Sequence, residues 1–169
     1  LQTLRDTFVS EKLPKESGER IEIPIPQMPS GDYEAGHLLA VLDRPVKSKQ
    51  IQGLVLLLHG LGGSSRRQGL RRMGLSLVDA GFAVLRLNLR GADPGRDLAG
   101  GTYSARCNSD LIPAINFARK LCDLLRQEEI APKDFLPLFG VGISLGGTML
   151  LNACLDNLEN KDHLSPKKL

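Results

Sequence analysis

The chain has no tryptophan, and aromatic residues make up 4% of its 169 positions. Stacking platforms for single-stranded nucleic acid need such rings, so their scarcity argues against that mode of binding. An excess of one charge sign is also missing: a net charge of +3 is too small to mark a polyanion partner. Cysteine is sparse. Cys107, Cys122 and Cys154 are odd in number and lack C-x-x-C spacing, which argues against a disulfide framework or a zinc site and for a reducing, cytoplasmic compartment. Apolar runs such as Leu38–Leu42 and Leu54–Leu58 fall far short of the about 20 residues that span a bilayer. The opening Leu1-Gln2-Thr3 is not a basic-then-apolar leader. Without an initiating Met, and with an abrupt end at Leu169, the sequence is expected to be a piece of a longer one.

What is present is a globular balance, 41% hydrophobic and 24% charged, and a length that fits one domain of about 150 residues. The first eighteen residues are polar and irregular. Glu19 to Ile25 alternates polar and apolar, a half-buried strand, and Pro24 marks it as an edge strand. Pro29-Ser30-Gly31-Asp32 reads as a turn. His37 to Leu42 reads as a second strand, pairing with the first as an antiparallel hairpin. Leu54 to Leu58 is continuously apolar, as in a strand covered on both faces. Leu70, Met73, Leu77 and Val78 recur at helical spacing before Gly81. Phe82 to Leu89 is another strand and Gly91 to Gly101 a loop. Asp110 is a cap for a helix with Leu111, Ile115, Ala118, Cys122 and Leu125 on one face. Phe135 to Ile143 is a further strand, and a helix carries Met149, Cys154 and Leu158, all three cysteines reading as small core groups. Residues 160–169 read as a frayed tail. Strands alternating with helices after a hairpin predict an α/β domain with a parallel sheet and helices on both faces.

Two segments carry chemistry. Gly142-Ile143-Ser144-Leu145-Gly146 is G-x-S-x-G at a turn from strand directly into helix. Such a turn strains the serine backbone and lifts its hydroxyl above the sheet, and the glycines Gly142 and Gly146 allow the close approach of strand and helix. The second segment is His59-Gly60-Leu61-Gly62-Gly63-Ser64, directly after the apolar strand. Gly60 and Gly62 let the backbone around Leu61 face the site. N–H groups of Leu61 and Leu145 aimed at one point would stabilise the oxygen of a tetrahedral intermediate.

These segments resemble the α/β-hydrolase fold, specifically its YheT-like branch. Leu1-Gln2-Thr3 is similar to the end of that family's N-terminal segment. His59 to Ser65 is similar to its oxyanion loop, Asn88-Leu89-Arg90-Gly91 to its segment after the fourth strand, and Gly142 to Gly147 to its nucleophile elbow. The resemblance covers nearly the whole chain. It implies an ester hydrolase acting on carboxylic, lipid-like esters, or an acyltransferase to an alcohol, with Ser144 as nucleophile and Leu61 and Leu145 forming the oxyanion hole. The implied partner is a small-molecule acyl ester; no metal or organic cofactor is implied.

The family order is serine, then acid, then His. Only 25 residues follow Ser144. Asp156 and Asp162 precede His163, but all three lie along or beyond the helix that starts at Ser144, out of reach of its hydroxyl. His37 sits in the early hairpin, and His59 reads as a structural residue of its loop. Residues 1–169 are therefore expected to be the nucleophile-bearing half of a hydrolase domain, its C-terminal strands missing and its turnover slight. The competing expectation is a non-catalytic paralogue or fragment that binds a partner through an exposed sheet edge. A dinucleotide site is disfavoured: the glycine loop lacks the third glycine of G-x-G-x-x-G, and the next strand ends in Asn88 and Arg90 instead of an acid. Arg66, Arg67, Arg71 and Arg72 cluster at a helix start. They read as a solvated face, or more sharply as a peripheral contact with anionic lipid headgroups.

Overall fold

The computed structural model describes residues 12–27, 34–46, 50–104, 107–129 and 134–162, with side chains described except at 107, 108 and 157–162. The expected turn at Pro29–Asp32, the opening Leu1-Gln2-Thr3, His163 and the Cys107 side chain lie outside this description.

Among the described residues five strands form one mixed sheet. They are β1 (Glu19–Ile25), β2 (Gly36–Asp43), β3 (Leu54–Leu58), β4 (Ala83–Leu87) and β5 (Leu138–Gly142), in the spatial order β1-β2-β4-β3-β5. β1 and β2 pair antiparallel, with Pro24 opposite His37. β1 stands at the sheet edge, where a residue without an N–H is tolerated. β2 joins β4 antiparallel, while β3 runs parallel to both β4 and β5. Among the described residues three α-helices connect and cover the strands: α1 (Gln68–Asp79), α2 (Leu111–Gln127) and α3 (Leu145–Asp162).

The continuous apolar run of β3, and β4, which is apolar apart from Arg86, are buried on both faces. Leu54, Leu56 and Leu58 pack with Leu85 and Leu87 against α2 and α3 through Leu111, Ala114, Ala118, Leu125, Met149 and Ala153. On the other face, Val55, Leu57 and Val84 meet Leu70 of α1. Each fully buried Leu or Val contributes about 1.5–3 kcal/mol, so these alternating positions fix both register and layering.

Several expectations change in detail. Met73 is exposed, as is Cys154; both lie off the faces that their helices bury. α3 runs to Asp162, so Asn160 to Asp162 are helical and the rest of the expected tail is outside the description. Asp110 does not cap α2. Its backbone is already helical (φ −65°, ψ −22°) with no side-chain capping bond. Its carboxylate instead takes two hydrogen bonds from buried Arg90, at 2.8 and 2.9 Å. A bidentate, charge-assisted pair outcompetes a single bond from a helix N–H.

No described helix is long and apolar enough to cross a membrane.

Candidate functional site

The site forms where β3 and β5 end side by side. Leu58 pairs with Gly142 in parallel register, and the Ile143 N–H donates to the Leu58 carbonyl at 3.0 Å. The loop after β3 and the turn after β5 therefore leave the sheet together. At that turn Ser144 has φ +51°, the sole positive φ among described non-glycine residues. This left-handed conformation costs about 1–3 kcal/mol and is maintained only where surrounding structure enforces it. Here α3 begins at the next residue, packed so closely on β5 that a Cβ on Gly142 would lie 2.5 Å from Gly147 N and Cα. A Cβ on Gly146 would overlap the His59 carbonyl oxygen. The side chain of Ser144 is exposed.

The glycine loop lies against this turn. A Cβ on Gly60 would come within 3.1 Å of Ser144 Cβ and 2.9 Å of the Ile143 carbonyl oxygen. Leu61 follows, with its side chain largely exposed. Neither the Leu61 N–H nor the Leu145 N–H donates to an acceptor among the described residues. Ser144, Leu145, Gly142, Gly146 and Gly60 are thus brought into one neighbourhood, with Leu61 and Gly62 continuing the loop.

The loop is held by groups to which the sequence assigned no such role. Gly62 donates its N–H to the Tyr103 hydroxyl at 2.6 Å. The fully buried Ser65 donates its N–H to Asn88 Oδ1 at 2.8 Å, and Asn88 Nδ2 donates onward to the Ser65 hydroxyl and the Leu39 carbonyl. Arg86 donates to the Ser65 carbonyl while paired with Asp43 and Glu16. Arg90, besides holding Asp110, donates to the Glu34 and Gly100 carbonyls. The signal for this network is a strand and its extension carrying polar residues at 86, 88 and 90 amid buried apolar ones. The motif Asn88-Leu89-Arg90 is thus a clamp on the glycine loop and its flank.

His59 belongs to the same clamp. The Leu89 N–H donates to His59 Nε2 at 3.1 Å, so that nitrogen is unprotonated; Nδ1 then carries the proton and donates to the Gly60 carbonyl at 2.8 Å. Both ring nitrogens are occupied, and the ring stacks edge-on with Tyr103, centroids 5.4 Å apart. Burial pushes its pKa below the ordinary 6.5, against the opposing pull of the Gly60 carbonyl. It is a structural histidine. His37 lies on β2, three strand positions from β5, or about 14 Å at the usual strand spacing. Asp156 sits twelve residues beyond Ser144 along α3, about 18 Å at 1.5 Å per residue. No histidine among the described residues is free to reach Ser144. Burial, and secondarily Asp123, push the Cys122 thiol up to about 11, leaving it unreactive. Among the described residues no group of three or more His, Cys, Asp or Glu could hold a metal.

This architecture matches known α/β serine hydrolases. Est1E from Butyrivibrio proteoclasticus aligns at TM-score 0.55 and 21% identity, over 85% of this chain and 47% of that one. An alpha-beta serine hydrolase homologue from Coxiella burnetii aligns at TM-score 0.60 and 16% identity, over 85% and 60%. Brefeldin A esterase, a bacterial homologue of human hormone sensitive lipase, aligns at TM-score 0.60 and 17% identity, over 95% and 43%. The fold is therefore the α/β-hydrolase fold, and the chain spans roughly half the length of these structures. No family model and no curated protein matches the sequence.

Proposed function

We propose that this chain is the nucleophile-bearing part of a serine hydrolase of the YheT-like branch, cleaving carboxylic esters through an acyl-enzyme at Ser144. The observation that carries this reading is the strained Ser144 backbone (φ +51°) at a strand-to-helix turn packed on the glycine loop. In the proposed reaction the Ser144 hydroxyl oxygen attacks the ester carbonyl carbon as a base removes its proton. The carbonyl oxygen becomes an oxyanion and takes hydrogen bonds from the Leu61 and Leu145 N–H groups. The alcohol leaves with a proton, and water then hydrolyses the acyl-serine by the reverse logic. An alcohol in place of water would make the same intermediate an acyl donor. Each oxyanion donor lowers the barrier by about 3–4 kcal/mol. Neither described histidine fits the role of base, because His59 is committed and His37 is distant; the reading therefore draws the base from outside the described residues.

Prolonged exposure to an aryl fluorophosphonate, followed by peptide mass spectrometry, tests the reading. The adduct is expected on Ser144 and not in Ser144→Ala. Adducts scattered over other serines, unaffected by the substitution, would reject it.

A second reading, an interaction module, is favoured by one observation. The outer edge of β5 has no pairing strand among the described residues, and Phe139 and Leu151 beside it are exposed.

A further inference from the structure

Next to the glycine loop lies a cleft of about 710 Å³. One wall is Leu61 to Ser64; the others carry Arg66, Arg67, Arg96, Asp93 and Tyr103. Three guanidinium groups against one carboxylate leave the lining with two net positive charges. The cleft shares Leu61 and Gly62 with the glycine loop that would cradle the oxyanion, so it adjoins the proposed reaction centre.

The four arginines that cluster in the sequence are not equivalent. Arg71 is engaged by Glu16 and the Pro14 carbonyl, and Arg72 also has an interaction partner. The Arg67 side chain makes one hydrogen bond among the described residues, to the Gly62 carbonyl at 3.2 Å, and Arg96 pairs with Asp93 at 3.2 Å. The Arg66 guanidinium has no partner among the described residues. Arg66 lies one residue before the Arg67 N-cap of α1, next to the helix end whose dipole disfavours a cation, so its placement is one that the fold itself does not explain. Tyr103 adds a neutral donor: its oxygen accepts from Gly62, and its hydroxyl hydrogen has no acceptor among the described residues.

We propose that this cleft binds an anionic group, carboxylate or phosphate, carried by the ester substrate. Arg66 and Arg67 supply forked donors that match such an anion, with the Tyr103 hydroxyl as a third. The inference rests on Ser144 and the Leu61 and Leu145 N–H groups being the reaction centre, and it narrows the substrate class of that centre.

The test reads binding without chemistry. Fluorine NMR titration compares para-fluorobenzoate with para-fluorobenzamide, two probes of equal shape and different charge. The benzoate is expected to bind roughly three- to tenfold tighter, the range of one or two partly exposed charge pairs, with the preference shrinking as salt is added. Arg66→Gln should remove most of the preference and Arg66→Lys restore part of it. Arg66 makes no side-chain contact that folding depends on, so these variants remain folded. Sedimentation with phosphatidylcholine vesicles, with and without phosphatidylserine, assigns the source of the anion. Arg66-dependent binding to the phosphatidylserine vesicles supports the cleft with a lipid headgroup as ligand; benzoate preference without vesicle binding supports it with a soluble anionic ester. Failure of both arms, or a preference that Arg66→Gln leaves intact, overturns the proposal. A benzoate preference in a protein whose Ser144 takes no fluorophosphonate retains the anion site and rejects the hydrolase reaction instead.

Discussion

Ser144 and His59 are neighbours in the fold with opposite demands. Ser144 is exposed in a strained backbone, whereas His59 is buried with both nitrogens bonded. The first was legible in sequence, because G-x-S-x-G between an apolar strand and a helix leaves the backbone little choice. The second was legible only in part. Its place after β3 suggested a loop-holding role, but its partner, the Leu89 N–H, comes from another strand's end and no local pattern announces it. The lowered pKa of His59 has a consequence with a definite sign. Above about pH 6.5 the ring is neutral in both folded and unfolded chains, and its contribution to stability is complete. As pH falls below that value the unfolded chain gains a proton that the fold resists, and stability drops until pH passes the lower folded value. Melting temperature measured by scanning fluorimetry should therefore fall between about pH 7 and pH 5. His59→Gln, less stable throughout, should show a shallower fall over the same window.

The start of α2 and the extension of β4 show why elements were easier to foresee than their connections. The apolar face of α2 was readable from its spacing, and Leu111, Ala118, Cys122 and Leu125 are buried as expected. Asp110 invited a capping role by residue type alone. It is instead the buried counter-ion of Arg90, twenty positions away in sequence, with side chains 3% and 0% exposed. That pairing depends on the crossover geometry, which residue preferences do not encode. Removing one partner of a buried pair strands the other charge and costs about 3–5 kcal/mol, about a fifth or more of the stability of a typical domain. Asp110→Asn should lower the urea midpoint accordingly. The adjacent 91–103 segment, which includes Tyr103, should loosen with it, seen as faster proteolysis of that loop. A shift below about 0.5 kcal/mol would show that the pair contributes little.

The molecule as a whole joins a hairpin and a parallel sheet into one layer with helices on both sides, and that class was predictable from the alternation of strands and helices. The order β1-β2-β4-β3-β5 was not, because placing β3 between β4 and β5 is a choice among distant partners. The chain matches roughly half the length of the α/β serine hydrolases it aligns with. Its described residues include the serine turn and the glycine loop but no histidine able to serve Ser144. Under the proposed reaction Ser144 is a poised nucleophile whose base is not among the described residues, and an external base should substitute for it. The most direct measurement is the rate of fluorophosphonate labelling of Ser144 with and without added imidazole. Slow labelling that rises in proportion to imidazole, and is absent in Ser144→Ala, is the expected result. Fast labelling indifferent to imidazole would place a working base within the chain itself, and a complete lack of labelling at every imidazole concentration would deny Ser144 its role.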